Sequence, residues 1–155
     1  MALHSQTKKK RLCLDQSRYI NKIFALNKKF IIESTEVFKE VVGKEWWMIC
    51  FDLKAAYHHI EISEEDHKYF GFAAVIKGVE RFFSFACLPF GFYVSAQVIT
   101  KVLRHVIEKW RQERKTSFIH IDDGIIAFET EEEAKAGANE VQEDLEKFGL
   151  VISPD

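Results

Sequence analysis

Two hydrophobic periodicities alternate along the chain and divide it into predicted strands and helices. Residues 46–53 are apolar except for Asp52, a pattern that is typical of a buried strand. Between 68 and 85, two runs rich in aromatic residues flank Lys77 and Gly78, which predicts a hairpin. Asp52 stands out in this part of the chain, because an unpaired carboxylate is rarely found inside an apolar strand.

A second hairpin is predicted near the middle of the C-terminal half. Residues 117–121 and 124–128 are short apolar runs that are separated only by Asp122 and Asp123. This places two adjacent carboxylates in the predicted turn.

Helical periodicity marks two long segments and one short one. Apolar residues recur every three to four positions between 98 and 110, opposite a basic and polar face. Ser34 is predicted to cap a short helix that runs to Val42. Thr130 and Glu133 have the spacing of a capping box. The predicted core face of this last helix, which Gly149 should end, consists of Ala134, Ala138, Val141, Leu145 and Phe148.

The order of these elements predicts the fold class. Strand, hairpin, helix, hairpin and helix, with short strands added at 11–15 and 150–152, indicate an α+β fold with helices on one face of a mainly antiparallel sheet. The 155 residues are enough for one domain or part of one.

Composition limits the compartment and the partners. The three cysteines, Cys13, Cys50 and Cys87, are far apart in apolar segments and are predicted to be buried, reduced thiols. No apolar run reaches the roughly 18 residues of a membrane span, and the N-terminus lacks the pattern of a signal peptide. An intracellular protein of the cytoplasm or nucleus, with no membrane partner, is therefore expected.

The net charge of -2 gives no overall attraction to nucleic acid, so binding would depend on local basic clusters. One cluster lies at 8–11. The other is the polar face of the 98–110 helix and comprises Lys101, Arg104, Lys109, Arg111 and Arg114. Taken alone, each cluster would more often be an ordinary solvated surface, and the run at 8–11 would also fit a nuclear-localisation-like segment.

The carboxylates suggest a specific chemistry. Asp122 and Asp123 alone would fit an ordinary turn. If the strand that carries Asp52 is a neighbour of the second hairpin, however, Asp52 and Asp122 converge. Convergent carboxylates without a basic partner suit a hard cation such as Mg²⁺. Three histidines, His58, His59 and His67, lack a further ligand at zinc-binding spacing.

Three motifs resemble those of reverse transcriptases in order and approximate spacing. They are Phe-Asp-Leu-Lys-Ala-Ala-Tyr at 51–57, Leu-Pro-Phe-Gly at 88–91 and Ile-Asp-Asp at 121–123. The likeness is strongest to the enzymes of retrotransposons, and among these to the DIRS group. It implies a polymerase palm, with a ferredoxin-like or RRM-like antiparallel sheet, plus part of the fingers.

The resemblance implies a division of the chain and a longer parent. About 1–45 and 60–90 would be fingers-like, and about 46–59 and 91–155 would be palm. A thumb, ribonuclease H and a recombinase or integrase would belong to the remainder of a polyprotein.

The resemblance also implies an activity and its residues. The activity is RNA-directed DNA synthesis, with Mg²⁺ or Mn²⁺ held by Asp52 and Asp122 and with Asp123 as a weaker participant. The deoxynucleotide would contact Arg11, Lys10, Tyr57, Phe90 and Gly91, where Tyr57 would exclude a ribose 2′-hydroxyl. The RNA or DNA template-primer would contact Ser95, His120, Lys101 and Arg104. For Tyr57, a packed core aromatic is the alternative.

Departures from the family pattern keep a second function open. His120 stands where these enzymes usually have Tyr, and Ala96 stands where they usually have Pro. A catalytically inactive transposon relic that keeps a nucleic-acid-binding palm is therefore the alternative to an active polymerase.

Overall fold

The computed structural model describes residues 12–24 and 34–154. Lys10, Arg11 and the rest of the basic cluster at 8–11 lie outside the described residues. The elements in chain order are α1 (Ile20–Ile23), α2 (Thr35–Val41), β1 (Trp47–Asp52), β2 (Gly71–Ile76), β3 (Val79–Ser84), α3 (Ser95–Gln112), β4 (Thr116–His120), β5 (Asp123–Phe128) and α4 (Glu131–Lys147). Two 3₁₀ helices, Ala56–His59 and Glu64–Phe70, lie between β1 and β2. The predicted α+β class is confirmed.

The described residues fall into two compact units. The first unit contains the described residues before Lys29 together with Tyr57–Gln97. The second contains the described residues from Ser34 to Ala56 and those from Val98 onward. The names fingers and palm for parts of the chain stay predictions.

The second unit is built on a three-stranded antiparallel sheet in the order β1-β5-β4. One face of this sheet packs against α3 and α4, where Trp110, Ile126 and Leu145 are fully buried. The short helix α2 departs from the predicted one-sided arrangement. Its Phe38 contacts Phe118 of β4, which faces away from α3 and α4.

β1 is less buried than the sequence suggests. It is an edge strand of the sheet, and Trp47, Met48 and Cys50 are exposed. The prediction of a buried strand was wrong because a strand with one unpaired edge can expose apolar side chains. The prediction of buried cysteines was likewise wrong, since Cys50 is exposed and Cys13 and Cys87 are half-buried, although all three are free thiols.

Both predicted hairpins are present and both have two-residue loops. In the first unit, β2 and β3 pair around Lys77 and Gly78, whose φ angles are both positive, as a type I′ turn requires. In the second unit, the loop between β4 and β5 is Ile121–Asp122 by register. Asp123 is therefore the first residue of β5 and does not belong to the turn.

The long helices are confirmed, with corrections at their margins. α3 extends from Ser95 to Gln112, and the capping box of Thr130 and Glu133 starts α4. Ala138 and Phe148 are exposed, while Gly137 is buried against the ring of Phe128. The predicted helix after Ser34 is also present, with the Ser34 side chain accepting from the Glu36 amide.

The two short segments predicted as strands, 11–15 and 150–152, form only isolated bridges in the described residues. Ile152 forms a single antiparallel bridge with Leu53, and Cys13 forms a single parallel bridge with Phe90. Isolated bridges replace strands here because neither segment has a second neighbouring pair in the described residues.

Candidate active site

The register of β1 on β5 determines which carboxylates face each other. Phe51 pairs with Gly124, and Asp52 pairs with Asp123. Residues directly opposite in an antiparallel pair lie on the same face, with their Cβ atoms about 4.5 to 5.5 Å apart. The side chains of Asp52 and Asp123 therefore lie together on the face of the sheet opposite α3 and α4, the face on which α2 contacts β4.

Asp122 occupies a different position. It lies in the two-residue loop and is half-buried, and its carbonyl accepts a hydrogen bond of 2.8 Å from the Leu53 amide. This bond continues the β1–β5 ladder by one step beyond Asp52. The predicted proximity of the two strands is thus confirmed, and the residue directly opposite Asp52 is Asp123 and not Asp122.

The loop that carries Asp122 has an unusual backbone. Ile121 has a φ of 62°, in the left-handed region that β-branched residues rarely adopt. A positive φ at only the first loop position is the pattern of a type II′ turn, where Gly is the usual residue. The hairpin tip is therefore strained.

The C-terminal segment supports the end of β1. The sequence did not predict this contact. The Lys54 amide donates to the carbonyl of Val151 at 2.8 Å, and the Ser153 amide donates to the carbonyl of Asp52 at 2.7 Å. Asp52 is thus held between β5 on one side and the Val151–Ser153 backbone on the other. The predicted strand at 150–152 was the signal for this support.

The carboxylates have the environment of a cation site with few protein ligands. Asp52 is half-buried and Asp123 is exposed, and neither side chain forms an ion pair with another described residue. Like charges directly opposite each other destabilise an antiparallel pair. In the described part of the chain, no three His, Cys, Asp or Glu residues are grouped as a metal site. Two carboxylates are as many protein ligands as a hard divalent cation needs when substrate phosphates and water complete its coordination.

The basic face of α3 is partly neutralised. Lys109 donates to Asp144 at 2.6 Å and to Glu113 at 2.7 Å, and these hydrogen bonds raise the pKa of Lys109. Arg111 donates to the carbonyl of Ser117 at 3.3 Å. Lys101 and Arg104 are exposed. The predicted basic cluster therefore loses the charge of Lys109, which is neutralised by contacts within the fold.

In the first unit, the predicted nucleotide-binding aromatics form a cluster. The ring of Tyr57 meets the ring of Phe90 at 4.9 Å with an interplanar angle of 62°, and His58 contacts the same Phe90 ring at 5.4 Å. Burial, followed by the neighbouring His59, lowers the pKa of His58. Tyr57 is half-buried, so part of its surface is accessible.

The Leu-Pro-Phe-Gly segment is fixed by hydrogen bonds from Leu14, which precedes α1, and from Asn21, which lies in α1. The Leu14 amide donates to the carbonyl of Phe90 at 2.8 Å, and the Asn21 side-chain amide donates to the carbonyl of Gly91 at 2.8 Å. Gly91 has a φ of 95°, and a Cβ atom there would collide with the Leu14 carbonyl. Only glycine fits this position.

The two remaining predicted nucleic-acid residues differ in exposure. Ser95 is 1% exposed and its hydroxyl donates to the carbonyl of Pro89 at 2.9 Å. His120 is exposed at the end of β4, where it is the register partner of Asp123. Contact of either residue with a template stays a prediction.

An α+β fold with two opposed carboxylates at the end of a strand pair defines a class of protein whose donor groups suit a divalent cation. The model of the reverse transcriptase (RNA-dependent DNA polymerase) family matches residues 4–155. The chain therefore belongs to the reverse transcriptase family.

Similarity to individual curated proteins supports this membership. The chain is 24% identical over 147 residues to the Gag-Pol polyprotein of Rous sarcoma virus subgroup C (strain Prague). The alignment covers 89% of the chain and 9% of that protein. It is 25% identical over 147 residues to the Gag-Pol polyprotein of avian leukosis virus subgroup A (isolate RSA), with the same coverage. The chain thus spans 9% of the length of these relatives. Placement in the DIRS group stays a prediction.

Within the described residues, no helix has the length and apolar character needed to cross a membrane.

Proposed function

We propose that this chain takes part in RNA-directed DNA synthesis, in which a deoxynucleotide is transferred from its triphosphate to a primer 3′-hydroxyl. The observation that carries the proposal is the pairing of Asp52 with Asp123 at the end of the β1–β5 strand pair, with Asp122 next in the chain. Membership of the reverse transcriptase family gives the reaction class.

The carboxylates fit a divalent cation. Asp52 and Asp123 are opposed across two strands, and a cation between their carboxylates would relieve the repulsion of these like charges. Mg²⁺, with Mn²⁺ as its substitute, would be held by Asp52 together with Asp122 or Asp123. When bound, such ions stabilise the attacking and leaving oxygens of a phosphoryl transfer.

The chain's own residues then act on the substrates. Tyr57, in edge contact with Phe90, would support the deoxyribose and exclude a 2′-hydroxyl. Gly91 would allow close approach of the backbone to the nucleotide. Arg11 and Lys10 would hold the triphosphate, since a guanidinium can bind phosphate oxygens through two hydrogen bonds.

The template-primer would lie along exposed basic and polar groups. Lys101 and Arg104 on α3 would contact phosphates, and His120 would lie beside the primer end. Ser95 would act through the turn that it closes with Pro89. We further propose that the chain belongs to a retrotransposon polyprotein, which would supply a thumb, ribonuclease H and a recombinase or integrase, and that it acts in the cytoplasm or nucleus.

Primer extension with carboxamide variants tests the proposal. We expect Asp52→Asn and Asp122→Asn to lower the rate of extension by more than about 100-fold, because even loss of a hydrogen-bond partner of a metal ligand costs about 10- to 100-fold. Asp66→Asn is the matched control, since Asp66 is an exposed aspartate of the first unit. Wild-type rates in the Asp52 and Asp122 variants would refute the site.

A nucleic-acid-binding relic is the second candidate. The observation that favours it is that Lys101 and Arg104 remain exposed on α3 while the basic residue Lys109 is engaged. Binding should weaken as salt rises, should not need Mg²⁺, and should weaken further when Lys101 and Arg104 are neutralised. Binding that does not respond to salt would argue against this function.

A further inference from the structure

Asp144 of α4 is a buried carboxylate with a specific role to explain. It is 6% exposed, and its Oδ2 accepts hydrogen bonds from Lys109 Nζ at 2.6 Å and from Trp110 Nε1 at 3.0 Å. Both donors belong to α3. Asp144 therefore fixes α3 to α4 through a cation and an indole.

The indole of Trp110 transmits this contact toward the sheet. Trp110 is fully buried, and its ring meets the ring of Phe51 at 6.0 Å with an interplanar angle of 82°. An edge-to-face pair of this kind depends on the orientation of both rings. Because Trp110 Nε1 is bonded to Asp144, the orientation of the indole depends on that carboxylate.

Phe51 then packs across the two strands that carry the carboxylates. Its ring covers Gly124, and a Cβ atom at Gly124 would collide with the ring. Phe51 and Gly124 are register partners, and the next pair along the strands is Asp52 and Asp123. A shift of the Phe51 ring would therefore disturb the residue before Asp52 and the residue after Asp123.

We propose that Asp144 is a positioning residue for the Asp52–Asp123 pair, acting through Trp110, Phe51 and Gly124. The inference rests on the proposed function for its kinetic consequence, but the chain of contacts is independent of that function. All six residues belong to the second unit.

The charge state of Asp144 suits this role. Burial acts to raise its pKa, but the hydrogen bonds from Lys109 and Trp110 outweigh burial, and the pKa lies below its ordinary value. An ionised carboxylate is a stronger acceptor for a buried indole N–H than a neutral group. Lys109, Glu113 and Lys147 are the other charged groups that surround this contact.

The first test uses backbone amide signals of the folded chain in an NMR spectrum. Asp144→Ala should shift the signals of Asp52, Asp123 and Gly124, while Asp144→Asn should shift them less because its carbonyl oxygen still accepts from Trp110. Glu140→Gln is the matched control, since Glu140 lies on the same helix and pairs with Lys115 at 2.9 Å without contacting Trp110. It should leave the three signals unchanged.

A second variant keeps the test decisive if Asp144→Ala does not fold. Trp110→Phe retains an aromatic ring near Phe51 but removes the N–H that Asp144 accepts. It should shift the same three signals. Shifts that remain confined to α3 and α4 in the folded variants would overturn the proposal.

The kinetic test separates this inference from the proposed function. Asp144→Ala should lower kcat for primer extension by about 10- to 100-fold, because a displacement of about 1 Å can cost that much, with KM for template-primer and deoxynucleotide within about twofold. Asp144→Asn should recover most of kcat. If the amide signals shift and the wild-type chain, joined to the thumb of the proposed polyprotein, shows no extension, the positioning role stands and the proposed function fails. If the wild-type chain extends primers and Asp144→Ala changes neither signals nor kcat, the positioning role fails and the function stands.

Discussion

The two hairpins have similar loops but very different surroundings. In the β4–β5 hairpin, Phe118, Ile119, Ile126 and Ala127 are all buried. In the β2–β3 hairpin, every residue of β3 is exposed, and Phe82 is 80% exposed. A third strand and a layer of helices cover the first, whereas the second depends on cross-strand contacts such as the stacked rings of Phe72 and Phe83 at 5.5 Å.

The difference shows where a rigid site can be built. A two-stranded hairpin alone is marginally stable in water, whereas one that adds a third strand and a packed face is stable. Asp123 starts β5, in the hairpin that is covered. The carboxylate pair is therefore located where tertiary packing fixes the register.

The largest effect should come from a cavity in the β4–β5 hairpin, the covered hairpin. Ile126 is fully buried, and Ile126→Ala should destabilise the chain by about 2 to 5 kcal/mol through lost contacts and the cavity left behind. Ile76→Ala in β2, where the side chain is 44% exposed, is the matched control and should cost less than about 1 kcal/mol. Urea unfolding measures both, and equal losses would contradict the comparison.

A smaller effect is expected from adding a methyl group at a glycine of each hairpin. Gly124→Ala would force the Phe51 ring to move and should cost about 1 to 3 kcal/mol. At Gly78, whose φ is 77°, an added Cβ meets no atom within 4 Å. Gly78→Ala should therefore cost only the backbone strain of about 1 kcal/mol.

These two variants also differ in where their effects appear. Gly124→Ala should change the amide signals of Asp52 and Asp123, whereas Gly78→Ala should not. Thermal unfolding with matched spectra checks both. A Gly124→Ala protein as stable as the wild type would show that the Phe51 ring is not tightly held.

The smallest expected effect is on the free energy of unfolding at acidic pH. It comes from Asp144 of α4, which lies behind the covered hairpin. The pKa of Asp144 in the folded chain lies below its value of about 3.9 in an unfolded chain. Its contribution is therefore present above about pH 4 and is lost as the pH falls through the folded value. Asp144→Asn should flatten the loss of stability between about pH 5 and pH 2, as measured by urea midpoints. An unchanged slope would show that the Asp144 contacts do not stabilise the folded state.

Periodicity predicted the elements well, because their signals are local. The capping box at Thr130 and Glu133, the Lys77–Gly78 turn and the long helix after Ser95 each depend on residues close in sequence. Burial was harder to predict. The apolar composition of β1 indicated a core strand, but Trp47 and Met48 are exposed because β1 lies at the edge of the sheet.

The details of the site depended on register, which a single sequence does not determine. The motif predicted that Asp52 would be near the Asp122–Asp123 pair, and the pairing of β1 with β5 confirms that proximity. It could not predict that Asp123 would lie opposite Asp52, because a shift of one residue reverses every side chain. The roles of these carboxylates, and of Tyr57, Phe90 and Gly91 in the first unit, stay predictions.

The left-handed backbone conformation of Ile121, at the tip of the covered hairpin, determines which substitution there would stabilise the chain. Glycine at 121 would relieve the strain and would be expected to raise the melting temperature. It would also remove a branched side chain from the residue before Asp122 and widen the range of backbone angles at the tip. A search for more heat-resistant variants would thus favour a substitution that loosens the hairpin beside the carboxylates, so that stability would be gained at the expense of order at the candidate site.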